Sequence, residues 1–248
     1  MIRAGQRIAL AEIRKRLNPR ERPRKGALPF GIPAVDRHLS GGLPLSALHE
    51  VVEASPAAEF AGSATLFLAG IVARLEGPVL WCLSRRDLFA PGLAAAGLHP
   101  DRVIFAESGH DRDVLPAMEE GLRESGLAAV VGEVTRFGLT ASRRLQLAAE
   151  DRGVMALVLR RWWTVAEKEL TALPTAAFTR WRISPSPSDP PPAPGLGRAR
   201  WQVDLTRCRG AEPRSWILEA CDETGRLALP ALVADRPSAS KKRRAAAG

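Results

Sequence analysis

The chain has 248 residues, 46% of them hydrophobic and 25% charged, a composition that excludes wholesale disorder and collagen-like repeats and fits one large domain with tails. Its formal net charge of +9 is uneven: residues 1–30 carry +7 and the last eight carry +4, which leaves −2 for the 210 residues between them. There is no run of roughly 18 apolar residues to span a membrane, no apolar core of a secretory signal, and no CxxC pair among Cys82, Cys208 and Cys221, so a disulfide scaffold and a cysteine zinc site are both unexpected and the cytoplasm is the expected compartment.

In chain order, residues 7–17 (RIALAEIRKRL) predict a short amphipathic helix with Ala9, Leu10, Ile13 and Leu17 on one face and Arg14, Lys15 and Arg16 elsewhere, ended by Asn18-Pro19. The face is read either as docking on the protein's own core or as binding a partner. Residues 1–27 thus form a basic helix and linker. From residue 48 strands and helices alternate. Strands are predicted at 48–53, 79–83, 102–106, 127–131 and 154–159, and helices at 64–76, 87–96, 112–125 and 139–152. Continuous apolar strands alternating with helices mean a parallel sheet covered on both faces. Residues 177–183, 200–205, 214–220 and 225–230 alternate apolar and polar and predict antiparallel strands that extend the sheet. Between them residues 184–197 (SPSPSDPPPAPGLG) read as an exposed loop, because proline removes ladder donors. The core is taken as 28–235 and the basic residues 236–248 as a disordered tail.

Open parallel sheets bind ligands at the carboxyl ends of their strands. The segment after the first strand, EASPAAEFAGSAT (53–65), has the place of a phosphate loop without its chemistry. It offers one glycine, Gly62, has Ser63 where a lysine is needed, continues with Ala64 and Thr65, and puts Glu59 where a carboxylate repels phosphate. The strand at 127–131 ends in Gly132-Glu133, with Glu133 read as a solvent-facing loop acid, and the strand at 79–83 ends in Ser84-Arg85-Arg86 with no acid to activate a water. His38, His49, His99 and His110 have no metal-ligand spacing, and residues 110–113 read as a capping loop. No metal, catalytic set or cofactor is expected. Arg160, Arg161, Trp162 and Trp163 follow the fifth strand, and Arg136, Arg143 and Arg144 follow its neighbour. Cationic and aromatic side chains on such loops suit bases or a partner's pocket, and the bland alternative has one tryptophan packing inward and the other covered by 164–175.

Residues 28–53, LPFGIPAVDRHLSGGLPLSALHEVVE, resemble the entry to the RecA recombinase core through Ile32, Val35, Asp36, Leu39, Gly41-Gly42-Leu43-Pro44 and Glu50-Val51. The resemblance implies an α/β, RecA-like three-layer core with a mostly parallel sheet, extended by antiparallel C-terminal strands. Gly62-Ser63-Ala64 replaces the family's GKT, the catalytic Glu falls near Arg86, and the strand-end Asp falls at Gly132 or Glu133. A RecA-like fold without these elements and with a basic N-terminus is similar to the ImuA family, RecA-like accessory proteins of bacterial inducible mutagenesis cassettes. That likeness implies a non-catalytic adaptor in error-prone translesion synthesis and the SOS response. Its implied partners are RecA, an ImuB-like inactive Y-family polymerase and an error-prone replicative-type polymerase, with DNA contact and nucleoid association when engaged, and no membrane. The recombinase's DNA loops correspond to 133–142 and 160–174, and its subunit-joining segment to 2–17. The alternatives are a cell-division inhibitor of the SulA type and a divergent ATPase using Glu59 and Glu133.

Overall fold

In the computed structural model, which describes residues 26–230 apart from Ser125 and residues 189–196, the chain enters through strand β1 (Ala27–Leu28), helix α1 (Pro33–His38) and strand β2 (Leu43–Pro44), with β1 and β2 antiparallel. Pro33 opens the helix, where its missing N–H costs nothing. Asp36 turns its carboxylate back to accept the N–H groups of Phe30 at 2.6 Å and Gly31 at 2.9 Å. Gly42 is obligatory: its φ is +128°, and a Cβ would overlap the Leu28 carbonyl. The 7–17 helix, the tail from 236 and most of the proline-rich loop lie outside the described residues.

The alternating part follows as β3 (Leu48–Glu53), α2 (Ala58–Ala73), β4 (Val79–Leu83), α3 (Ala90–Ala95), β5 (Val103–Glu107), α4 (Asp111–Arg123), β6 (Ala129–Val134), α5 (Leu139–Arg152) and β7 (Met155–Arg160). A single-turn helix α6 (Lys168–Thr171) precedes β8 (Thr179–Ser186), β9 (Arg200–Cys208) and β10 (Arg214–Glu219). The eight-stranded sheet has the order β10-β9-β8-β3-β7-β6-β4-β5. All neighbours from β5 to β8 are parallel, and β9 and β10 are antiparallel additions. This is a RecA-like core.

The expected elements form, with instructive shifts. The first of the C-terminal strands, β8, is parallel to β3 rather than antiparallel; its register runs from His49↔Thr179 to Glu53↔Ile183. Beyond Ile183 it pairs only with β9, which is how the strand accommodates Pro185. Residues 225–230 make one bridge, Glu219↔Ala228, and no strand. Helix α2 starts at Ala58, six residues before the expected 64.

Strand alternation sorts the core onto two faces of the sheet. On one, Phe67, Leu68 and Ile71 of α2 meet Trp81, Leu157 and Trp181. Phe30 and Phe67 place their rings 5.5 and 5.9 Å from that of Trp181. On the other, Val114, Met118 and Leu122 of α4 and Leu145 of α5 cover Leu80, Val130 and Val158. His49 is buried, bonded through Nε2 to the Pro44 carbonyl and through Nδ1 to the Thr179 hydroxyl. Because the Pro44 carbonyl can only accept, the neutral ring carries its proton on Nε2 and Nδ1 accepts from the Thr179 hydroxyl, which itself accepts the Trp181 indole N–H. Burial holds His49 down at about 4. Among the described residues no helix is long and apolar enough to cross a membrane.

Gly42→Ala is expected to cost about 2 kcal/mol or more, since it combines a disallowed φ with a backbone overlap. Urea unfolding measures it, and a loss under half that size would contradict the tight β1–β2 approach.

Candidate functional site

The carboxyl ends of β3, β4, β6 and β7 converge where an open parallel sheet holds its ligand. Two adjacent arginines at the end of β7 organise this region. Successive strand residues point to opposite faces, so Arg160 and Arg161 serve separate polar clusters on the two sides of the sheet.

Arg161 is 93% buried among three carboxylates, each from the end of a different strand or the loop that follows it. Its Nε lies 2.6 Å from Glu53, one terminal nitrogen 2.6 Å from Glu133, and the other 3.0 Å from Asp87. Glu133 also accepts the Trp81 indole N–H at 2.8 Å, and the Trp162 indole donates to the Glu53 carbonyl at 2.9 Å. Above them the Trp163 ring is covered by the guanidinium carbons of Arg85, 4.0 Å from its centroid, and Arg161, at 4.7 Å. Ser84, Arg85, Asp111, Glu133, Thr135 and Trp163 line what remains around Arg161, a cavity of about 10 Å³ that accommodates a single water.

The electrostatics follow from sharing one cation among three anions. Burial raises Glu53 to about 7, because the attraction of Arg161 is divided and Glu133 and Asp87 repel it. Burial likewise pushes Glu133 up against the pull of Arg161. Desolvation pulls Arg161 down, but Glu133, Glu53 and Asp87 more than offset it and hold it above its ordinary value. The guanidinium therefore stays charged throughout, and the proton that moves near neutral pH sits on a carboxylate.

On the opposite face Arg160 and Glu50 are both fully buried and 3.0 Å apart. Glu50 also accepts Arg180 Nε at 2.9 Å and the Thr175 hydroxyl at 2.7 Å. Arg160 donates its remaining terminal N–H groups to the carbonyls of Thr135, Phe137 and Leu170. One side chain thus clamps the loop after β6 to helix α6.

The structure places the sequence-predicted residues as follows. Glu59, Gly62, Ser63, Ala64 and Thr65 belong to the first two turns of α2 and to no loop. Ser63 is buried and donates its hydroxyl to the Glu59 carbonyl at 2.8 Å, so its side chain closes on its own helix. The connection that remains between β3 and α2 is residues 54–57. Glu133 is a buried strand residue rather than a loop acid. The neighbouring Gly132 lies under Met118 of α4, and a Cβ at 132 would overlap the Met118 Sδ. Arg86 is exposed and paired with Glu107. Arg160, Arg161 and Trp162 are buried and bonded internally, which removes them as open contacts for DNA. Trp163, Arg136 and Arg143 are exposed, and Arg144 pairs with Glu119. The expected cap at 110–113 is also different: His110 makes no side-chain cap, and Asp111 accepts the Thr135 N–H at 3.2 Å. Leu10, Ile13, Arg14, Lys15, Arg16 and Leu17 lie outside the described residues.

Sequence reasoning gave no site role to Glu50, Glu53 or Asp87; Glu50 entered only as part of the RecA-like entry segment. Their one signal is the recurrence of acids at or just after strand ends, opposite a twin arginine that lies 110 residues from Glu50 and 74 from Asp87.

Removing the central cation leaves buried carboxylates uncompensated, so Arg161→Gln is expected to lose about 3–5 kcal/mol by denaturant titration. The pH dependence has a fixed sign. Between the ordinary carboxylate value of 4.5 and about 7, folded Glu53 holds a proton that the unfolded chain has released. Its contribution to stability therefore falls as pH rises through that window. Glu53→Gln should flatten this fall; unfolding midpoints at pH 5 and pH 8 test it, and an unchanged slope would show that Glu53 titrates normally.

No family model matches the chain. Two curated relatives do, each called Protein ImuA, from Caulobacter vibrioides strain NA1000 / CB15N and strain ATCC 19089 / CIP 103742 / CB 15. Each is 42% identical over 202 residues, which take in 78% of this chain and 83% of the relative. With that identity across most of both chains, added to the RecA-like sheet order, this chain belongs to the ImuA family.

Proposed function

We propose that this protein is a non-catalytic RecA-like adaptor of the inducible mutagenesis cassette, acting in error-prone translesion synthesis during the SOS response to DNA damage. The observation that carries the reading is Arg161. It sits among Glu53, Asp87 and Glu133 at the carboxyl edge of the sheet and neutralises acids that a bound cation would need. The degenerate phosphate segment supports the same conclusion, since Ser63 is turned into its helix and Glu59 stands in the first turn.

In this reading the protein works by binding. It engages the RecA recombinase, the ImuB-like inactive polymerase and the error-prone replicative-type polymerase, and joins the nucleoid when engaged. The basic segments 1–27 and 236–248 give electrostatic reach toward these partners or toward DNA.

The test has two arms. Calorimetric titration of the full chain with ATP and Mg²⁺ should give no saturable heat, and Ser63→Lys should create no ATPase, because the new side chain starts from a buried helical position. Purified recombinase and the ImuB-like polymerase should be retained by the immobilised chain after nuclease treatment. Saturable ATP binding with turnover favours the divergent ATPase, and retention of neither partner defeats the adaptor reading.

A further inference from the structure

Helix α5 is amphipathic in the wrong sense. Its buried face carries Ser142, Leu145, Gln146 and Ala149, two of them polar. These polar groups are the attachment: the Ser142 hydroxyl accepts the Ala176 N–H at 2.9 Å, and Gln146 Oε1 accepts the Leu48 N–H at 3.0 Å. Two leucines face outward instead, Leu139 at 38% exposure and Leu147 at 64%. Arg143 lies midway between them, so the three residues stand four apart and share one stripe of the helix. Arg143 is exposed and makes no ion pair among the described residues, whereas the adjacent Arg144 is engaged by Glu119. The 173–176 segment that Ser142 holds alongside brings a further exposed leucine, Leu173, at 41%.

We propose that the Leu139–Arg143–Leu147 stripe is a docking surface for an acidic helix of a partner protein, one that presents a carboxylate flanked by leucines four residues to either side. Charge selects this occupant. A second copy of the chain is a poor fit, because the two-fold that sets Leu139 against Leu147 of its mate also sets Arg143 against Arg143. The chain's own N-terminal segment is a poor fit as well, since the apolar face expected of it, Ala9, Leu10, Ile13 and Leu17, presents no acid to meet Arg143. Nucleic acid is disfavoured by the aliphatic side chains, which offer bases no ring to stack on. An acidic leucine-bearing helix satisfies both the cation and the apolar surface. The inference rests on the adaptor reading only for there being a partner.

The experiment uses the full chain and a fluorescein-labelled helical peptide with a single Leu-x3-Glu-x3-Leu stripe, a second peptide with Lys in place of the Glu, and anisotropy as readout. Wild type should bind the Glu peptide about tenfold more tightly than the Lys peptide, and Arg143→Glu should invert that preference. Leu147→Ser should weaken binding about fivefold while leaving the thermal midpoint unchanged, since the side chain is outside the core. Equal affinity for both peptides, or no saturable binding by wild type, overturns the proposal while leaving recovery of the recombinase and polymerase untouched. Sedimentation showing a dimer that Leu147→Ser abolishes overturns it in favour of a second copy, and displacement of the peptide by a single-stranded oligonucleotide overturns it in favour of DNA.

Discussion

One strand end with two arginines holds the upper half of this molecule together. Arg160 and Arg161 leave β7 on opposite faces of the sheet, and each meets buried acid from strands that are distant in sequence. Buried guanidiniums are costly unless paired, so the fold is coherent only when β3, β6 and the loop after β4 deliver Glu50, Glu53, Glu133 and Asp87 to these positions. The loops that in an open α/β sheet would be free to close on a ligand are here tied to the scaffold by protein atoms.

This changes what the carboxyl edge can do. A nucleotide site needs a phosphate cradle, a place for a divalent ion and room for both. Here residues 58–65 form the start of α2, the strand-end acids hold a fixed positive charge, and the cavity beside Arg161 accommodates one water. The aromatic surface is altered in the same way: Trp163 keeps an exposed edge, but its face is covered by Arg85 and Arg161. The strand-end groups hold one another rigidly, and among the described residues the outward helix faces stay exposed.

The architecture was readable because apolar strands of five or six residues, punctuated by Gly77-Pro78 and Gly97, announce a covered parallel sheet. The parallel placement of β8 was not, since the alternation of residues 177–183 reports one solvated face and is silent about strand direction. The start of α2 was missed because Ala58, Glu59 and Phe60 give no apolar period, and the segment after the first strand of an open parallel sheet has the place of a phosphate loop. The site was legible only as a loss. That Ser63, Arg86 and Gly132 stand where the resembling family carries its ATPase residues is local information. That Arg161 gathers Glu53, Asp87 and Glu133 is a tertiary fact with no local period. Arg160-Arg161 looked like an open basic loop because charged residues are rarely fully buried, and the partners that permit it lie far away in the chain.

The packing of Met118 over Gly132 has a consequence for substitution. A Cβ at position 132 would overlap the Met118 Sδ, so any side chain placed there must first displace the thioether of α4. Helix and strand are interlocked at this point, and a change at the glycine has to be answered by the methionine.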